Sequence, residues 1–271
     1  IIMSFYFLRI IEQKIVFFLI FIFLIIIIIL SGERASLFIL VLYLLGVLTF
    51  IKIMMRIPKV IYQTFKTSKV PLITKWHIWR MKKRNPEYAY QFYDDAMIED
   101  FIQNSFEKDV FELYKKINIG VAKADFFRYA ILYKKGGVYL DIDSMFLTKI
   151  DEIITPEDSA VISLETHGVN YVQWALFFEA GHPFLKETLT QIIENIKTNK
   201  YPKDVYRMTG PEVFTMAIKK CKEAAAVHYR EIGADYDKKA KFSYPMSKFF
   251  LYGFSRKTHW RNQSKTKNVL K

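Results

Sequence analysis

Hydrophobic and polar positions fall into three regimes along the 271 residues. Ile15 to Leu30 is unbroken apolar sequence, and Ala35 to Ile51 is a second run without a charge. At about 1.5 Å per residue, the first run spans roughly 24 Å as a helix, slightly short of a bilayer core of about 30 Å. Phe5 to Leu8 and snorkelling Lys14 or Lys52 can supply the remainder. Ile25 to Ile29 is apolar on every face of a helix, which does not suit a helix half in water. Two long runs separated by Ser31 to Arg34, without a small-residue cleavage site, do not read as a signal peptide. Residues 1–55 are therefore expected to be a membrane anchor, either a transmembrane hairpin or one span plus an interfacial helix.

From Ile57 onward the pattern alternates. Lys59 to Phe65 and Tyr88 to Tyr93 are rich in β-branched and aromatic residues, and Asp95 is a plausible cap for a helix over 96–104. Val121 to Lys135 has helical spacing with Gly136 as its C-terminal cap, and Gly137 to Ile142 reverts to a strand. Further strands are expected at 160–165 and 173–179, with helices over 183–197 and 211–222. Strands interleaved with helices predict an α/β layered domain over residues 56–255, followed by a basic tail at 256–271.

Composition narrows the class. With 52% hydrophobic residues, 10 Gly and 8 Pro, the chain is neither disordered nor of low complexity. The single Cys221 excludes an intramolecular disulfide and zinc sites built on cysteine pairs. Residues 1–55 hold four basic and two acidic side chains, so +11 of the net +13 belongs to the remainder. Much of it sits in Lys75 to Arg84 and in Arg256 to Lys271. No stacking-plus-basic motif accompanies them, so no nucleic-acid partner is expected; solvated faces near an anionic membrane suit them better. Cations on both sides of the apolar runs favour two cytosolic ends, while the sequon Asn262-Gln263-Ser264 hints at a lumenal face, so sidedness stays open.

The chemistry concentrates in Ala124 to Asp143, ADFFRYAILYKKGGVYLDID. Asp141 and Asp143, two apart at a strand end, would leave one face together. Two adjacent carboxylates repel unless a cation neutralises them, and Mg²⁺ or Mn²⁺ typically takes one or two carboxylates plus substrate phosphates. Asp125 and Arg128 share a helix face, which can set a guanidinium on a phosphate and a carboxylate on a sugar hydroxyl. A plain i,i+3 salt bridge beside a solvated acidic strand end is the alternative.

The series A-D-x-x-R-Y followed by G-G-V-Y-x-D-x-D resembles glycosyltransferase family 32, the group with the DXD sugar-binding region, which includes initiating α-1,6-mannosyltransferases and mannosyl inositol-phosphoceramide synthases. The spacing is also similar to that of the glucosyltransferase domains of large clostridial toxins. Ile57 to Thr64, Asn85-Pro86-Glu87-Tyr88 with Asp94-Asp95, Gly181-His182-Pro183-Phe184 and Thr209-Gly210-Pro211 resemble further landmarks of the family. Gln173 stands where the family usually shows Asn, and the closing region is reduced to His259-Trp260.

The resemblance implies a GT-A type, Rossmann-like mixed sheet and retaining transfer of a hexose from a nucleotide-sugar to a glycan or lipid acceptor. GDP-mannose is the favoured donor, with UDP-hexoses open. Asp141 and Asp143, with His259 as a further ligand, would hold Mn²⁺ or Mg²⁺. Asp125, Arg128, Tyr139 and Gly137 would line the donor, and Tyr62, Gln63 and Thr64 would flank the base. No covalent nucleophile can be named. A haloacid-dehalogenase-like phosphotransferase is the enzymatic rival, although its second Asp normally precedes Thr or Val where this chain has Met145. A membrane-anchored lectin or scaffold on a decayed transferase fold is the non-enzymatic one. His182 reads as a helix-capping residue, His77 and Trp79 as membrane-contacting or packed, and Thr209 as part of a helix start that can also approach the acceptor.

Overall fold

A computed structural model describes residues 55–224, 227–253 and 267–271. Both apolar runs, His259 and the sequon lie outside the described residues, so the expected anchor is not seen; no helix among the described residues is long and apolar enough to cross a membrane.

A six-stranded mixed sheet organises the domain. Its order is β2 (Ala89–Tyr93), β1 (Val60–Thr64), β3 (Gly137–Leu140), β6 (Ala175–Phe178), β5 (Ala160–Ser163) and β7 (Arg230–Ile232). β1 runs parallel to β2 and to β3, whereas β6 runs antiparallel to both β3 and β5. A separate ribbon pairs β4 (Met145–Phe146) with β8 (Ala240–Lys241).

Period-two alternation along the strands divides the core. Tyr62, Tyr139, Ile162, Leu176 and Phe178 join one hydrophobic cluster, while their neighbours Ile61, Val138, Leu140, Val161 and Phe177 join the other. Strands buried on both faces read as continuous apolar runs, which is why β3, β5 and β6 stand out in the sequence. The first cluster is covered by α2 (Asp95–Ser105), α3 (Lys108–Lys116), α4 (Gly120–Lys135), α5 (Pro183–Thr198) and α7 (Pro211–Ala224), with the short α6 (Val205–Met208) between the last two. The second receives Met81 of α1 (Leu72–Arg84), together with Phe146, Ile150, Trp174 and Tyr236.

Three local details depart from expectation. The cap of α2 is Asp94, whose carboxylate accepts from Met97 N at 3.1 Å, one residue before the expected Asp95. β3 ends at Leu140, and Asp141 to Ser144 forms a turn closed by Ser144 N donating to Asp141 O at 2.9 Å. Residues 267–271, expected within a tail, return to the domain: Val269 is fully buried, Asn118 N donates to Val269 O and Lys271 N to Lys116 O.

Gly136 and Gly137 are required by space. Gly136, at φ 63°, caps α4, and a Cβ there would lie 2.7 Å from Ala180 N. A Cβ on Gly137, at φ 111°, would meet Val60 O at 2.9 Å. The pair lets β3 leave its helix and press directly against β1.

Candidate functional site

Parallel strands β1 and β3 end on the same side of the sheet, the side on which open α/β sheets hold their ligands. Asp141 follows β3 there, its backbone N donating to Trp174 O at 2.8 Å. Its carboxylate Oδ1 accepts from Arg128 Nη2 at 3.0 Å and from Tyr139 Oη at 2.9 Å. Tyr139 and Asp141 lie two residues apart and so turn to the same face as α4.

Arg128 is the hub of the cluster. Its Nη2 is also 3.4 Å from Asp125 Oδ1 one helical turn earlier, its Nη1 donates to Gln173 O at 3.1 Å, and its guanidinium lies 5.0 Å from the centre of the Tyr139 ring. Asp125 Oδ2 accepts from Thr209 Oγ1 at 3.0 Å, and Tyr129 Oη donates to Gln173 Oε1 at 2.6 Å. One guanidinium thus joins α4, the end of β3 and the approach to β6 and, through Asp125, the segment before α7.

Burial opposes charge on Arg128, but Asp141, Tyr139 and Asp125 together hold it firmly protonated. Burial raises Asp125 to about 7 against the pull of Arg128 and Thr209. Burial also raises Asp141 despite Arg128 and Tyr139. Asp143 is pushed up to about 7, first by burial and then by the neighbouring Asp141 charge.

Asp141 and Asp143 both lie in the turn after β3, not on one face of the strand as expected, near enough for the Asp141 charge to raise Asp143. They are hard oxygen donors whose mutual repulsion a divalent cation would relieve. Among the described residues no group of three or more His, Cys, Asp or Glu could hold a metal ion. A pair of carboxylates without a complete protein cage fits Mg²⁺ or Mn²⁺ shared with substrate phosphates.

Other expected site residues occupy different places. Asp125, Arg128 and Tyr139 are each at most 3% exposed and are turned toward one another, not onto an open surface. Gln63 joins the carboxylate end: its Nε2 donates to Asp141 O at 3.2 Å and its Oε1 accepts from Tyr90. Thr64 is buried with Oγ1 on Tyr93 O, and Tyr62 is buried with its hydroxyl unpartnered among the described residues. Gly137 lies at the far end of β3 from Asp141, packed on β1. His182 caps α5 as expected, accepting from Phe184 N.

Three participants are not marked for this place by sequence. Thr209, which the sequence places at a helix start able to approach the acceptor, instead supplies the hydroxyl that donates to Asp125. Tyr244 N donates to Asp143 O at 2.8 Å from about a hundred residues downstream, and Lys248 lowers the Asp143 pKa. No local motif marks a contact of that sequence separation.

Residues 74–160, which contain the whole Asp125 to Asp143 series, match the family described as "Glycosyltransferase sugar-binding region containing DXD motif". The chain is 27% identical over 198 residues to an initiation-specific alpha-1,6-mannosyltransferase of Candida albicans, covering 58% of this chain and 51% of that protein. The Schizosaccharomyces pombe protein of the same name is 29% identical over 191 residues, 60% of this chain and 48% of its own. A mannosyl phosphorylinositol ceramide synthase of Saccharomyces cerevisiae is 37% identical over 102 residues, 36% of this chain and 25% of that protein. The chain matches about half the length of the first two relatives.

Proposed function

We propose, for a chain that belongs to the glycosyltransferase family with the DXD-containing sugar-binding region, that the domain is a metal-dependent retaining transferase of GT-A type. It would move a hexose, mannose first among candidates, from a nucleotide-sugar to a glycan or lipid acceptor at a membrane. The observation that carries this reading is the Asp141 carboxylate, clamped by buried Arg128 and Tyr139 beside Asp143 at the carboxyl end of β3. The names of the relatives support mannose, and GDP-mannose with it, over the UDP-hexoses.

In this mechanism Asp141 and Asp143 would hold Mn²⁺ or Mg²⁺. When bound, the cation supplies charge neutralisation for the departing nucleoside diphosphate. The chain's own contribution is positioning. Arg128 and Tyr139 fix the Asp141 rotamer, Asp125 fixes Arg128, and Thr209 fixes Asp125, so the carboxylate is set before the donor arrives. Arg128 adds a positive potential where negative charge accumulates on the leaving group. Gln63 ties the end of β1 to the same turn.

The test is donor cleavage by the full chain across a panel of nucleotide-sugars, with and without Mn²⁺. Metal-dependent release of one nucleoside diphosphate is expected, and Asp141→Asn/Asp143→Asn should lower it by roughly a hundredfold or more. A folded protein that releases none, and whose unfolding temperature responds to neither Mn²⁺ nor nucleotide, would overturn the proposal in favour of a lectin or scaffold.

A further inference from the structure

We propose that the outer face of α1 is a docking surface for an anionic lipid bilayer. Leu72 is 82% exposed, Trp76 46% and Trp79 54%. Spaced by four and three residues, they leave the same side of the helix. The opposite side is already committed. Thr74 is buried with its Oγ1 2.7 Å from Tyr244 Oη, His77 stacks on Tyr244 at 4.1 Å, and Met81 enters the core. The helix therefore cannot roll to hide its tryptophans.

Cations surround this apolar stripe. The Arg80 guanidinium lies 4.7 Å from the centre of the Trp76 ring, and Lys83 Nζ lies 5.0 Å from that of Trp79. Lys75 and Lys82 flank the stripe on the adjacent side, and α1 contains no acidic residue. Among the described residues none of Lys75, Arg80, Lys82 and Lys83 forms an ion pair with a carboxylate. The segment carrying Tyr244 repeats the pattern with exposed Phe242, Met246 and Phe250, and Lys248 stands 5.9 Å over the Phe242 ring.

Charge complementarity selects the occupant. Tryptophan rings settle where an apolar body meets a wet edge, and lysines beside them meet lipid phosphates. Each cation held near a negative leaflet strengthens binding by roughly fivefold. Tryptophan and arginine also suit protein interfaces, but lysine is depleted there, and three lysines without an acidic residue on the helix tip the choice to an anionic bilayer. The inference does not depend on the transferase reading.

The full chain, one copy per lipid nanodisc, tests it with an environment-sensitive fluorophore at Leu72→Cys in a Cys221→Ser background. Discs rich in phosphatidylserine should give a blue-shifted emission that brominated lipid quenches, and phosphatidylcholine discs should give neither. The shift should disappear at about 1 M salt, where charges are screened beyond about 3 Å. Lys75→Glu/Lys82→Glu/Lys83→Glu should reduce the quenching by roughly tenfold or more. Thermal unfolding checks that variant, and the comparison of lipids needs only the labelled chain. Equal emission in the two lipids overturns the proposal. So does a shift seen only when two chains share a disc, which assigns the face to a second copy.

Discussion

Arg128 and Arg80 carry the same side chain in opposite settings. Arg128, on α4, is almost fully buried between Asp125 and Asp141, and its charge is what lets two carboxylates remain in the interior. Arg80, on α1, rests on an exposed tryptophan and pairs with no carboxylate among the described residues. A buried cation becomes part of the fold because its partners cannot turn to water once it is gone. An exposed one leaves the fold intact and changes only what the surface attracts.

The largest effect is therefore expected at Arg128. Arg128→Ala leaves the Asp125 and Asp141 carboxylates without their counter-charge, with only the Thr209 and Tyr139 hydroxyls still donating to them, and should cost about 3–5 kcal/mol by chemical denaturation. A smaller loss would mean that water reaches the cluster. Protonation tests the same region without mutation. Asp125 and Asp143 bind protons more tightly in the fold, near pH 7, than aspartates of the unfolded chain, near about 4. Their contribution to the stability of the metal-free protein is therefore full below about pH 4 and is lost as pH rises through 7, opposite in sign to that of Asp151, Asp158 and Glu187, whose lowered pKa values favour the fold as pH rises. Asp143→Asn should remove part of that slope in thermal scans and leave the part due to Asp125. Mn²⁺ should raise the unfolding temperature at pH 8 more than at pH 5, because its ligands must give up protons.

Gly137→Ala forces a Cβ to 2.9 Å from Val60 O and should cost about 2–3 kcal/mol, without touching the charges. Thr209→Val removes one hydrogen bond from Asp125 and should cost about 1–2 kcal/mol. Arg80→Ala should stay within about 0.5 kcal/mol. An Arg80→Ala cost approaching that of Arg128→Ala would erase the contrast between the two settings.

Much of this was legible in the sequence where a strand is buried on both faces or a glycine pair ends a helix. β1, β2, β3, β5 and β6 declare themselves by composition, and Gly136-Gly137 marks the passage from α4 to β3. The Asp125 and Arg128 pairing followed from helical spacing alone. α1 is legible only as a basic stretch with His77 and Trp79 in membrane contact or packed, and not as a helix, because its large apolar residues face outward and only Thr74 and Met81 are buried. α3, with Leu113 and Tyr114 as its buried residues, gave a pattern too short to recognise. The end of β3 was overrun because Ile142 continues the alternation after the ladder has stopped and the chain has turned. Thr209 and Tyr244 reach the carboxylates across long sequence separations, which no periodicity encodes.

The unpartnered hydroxyl of Tyr62 carries a different kind of lesson. It is buried and accepts or donates no hydrogen bond among the described residues, so it is a standing penalty in an otherwise apolar setting. Tyr62→Phe should make the protein more stable, by about 1 kcal/mol. Selection for robustness alone would favour that replacement, which a single nucleotide change between Tyr and Phe codons can supply. A variant that is sturdier yet slower in turnover would show that the oxygen is kept for work done with substrate present, a trade of durability for activity at one atom.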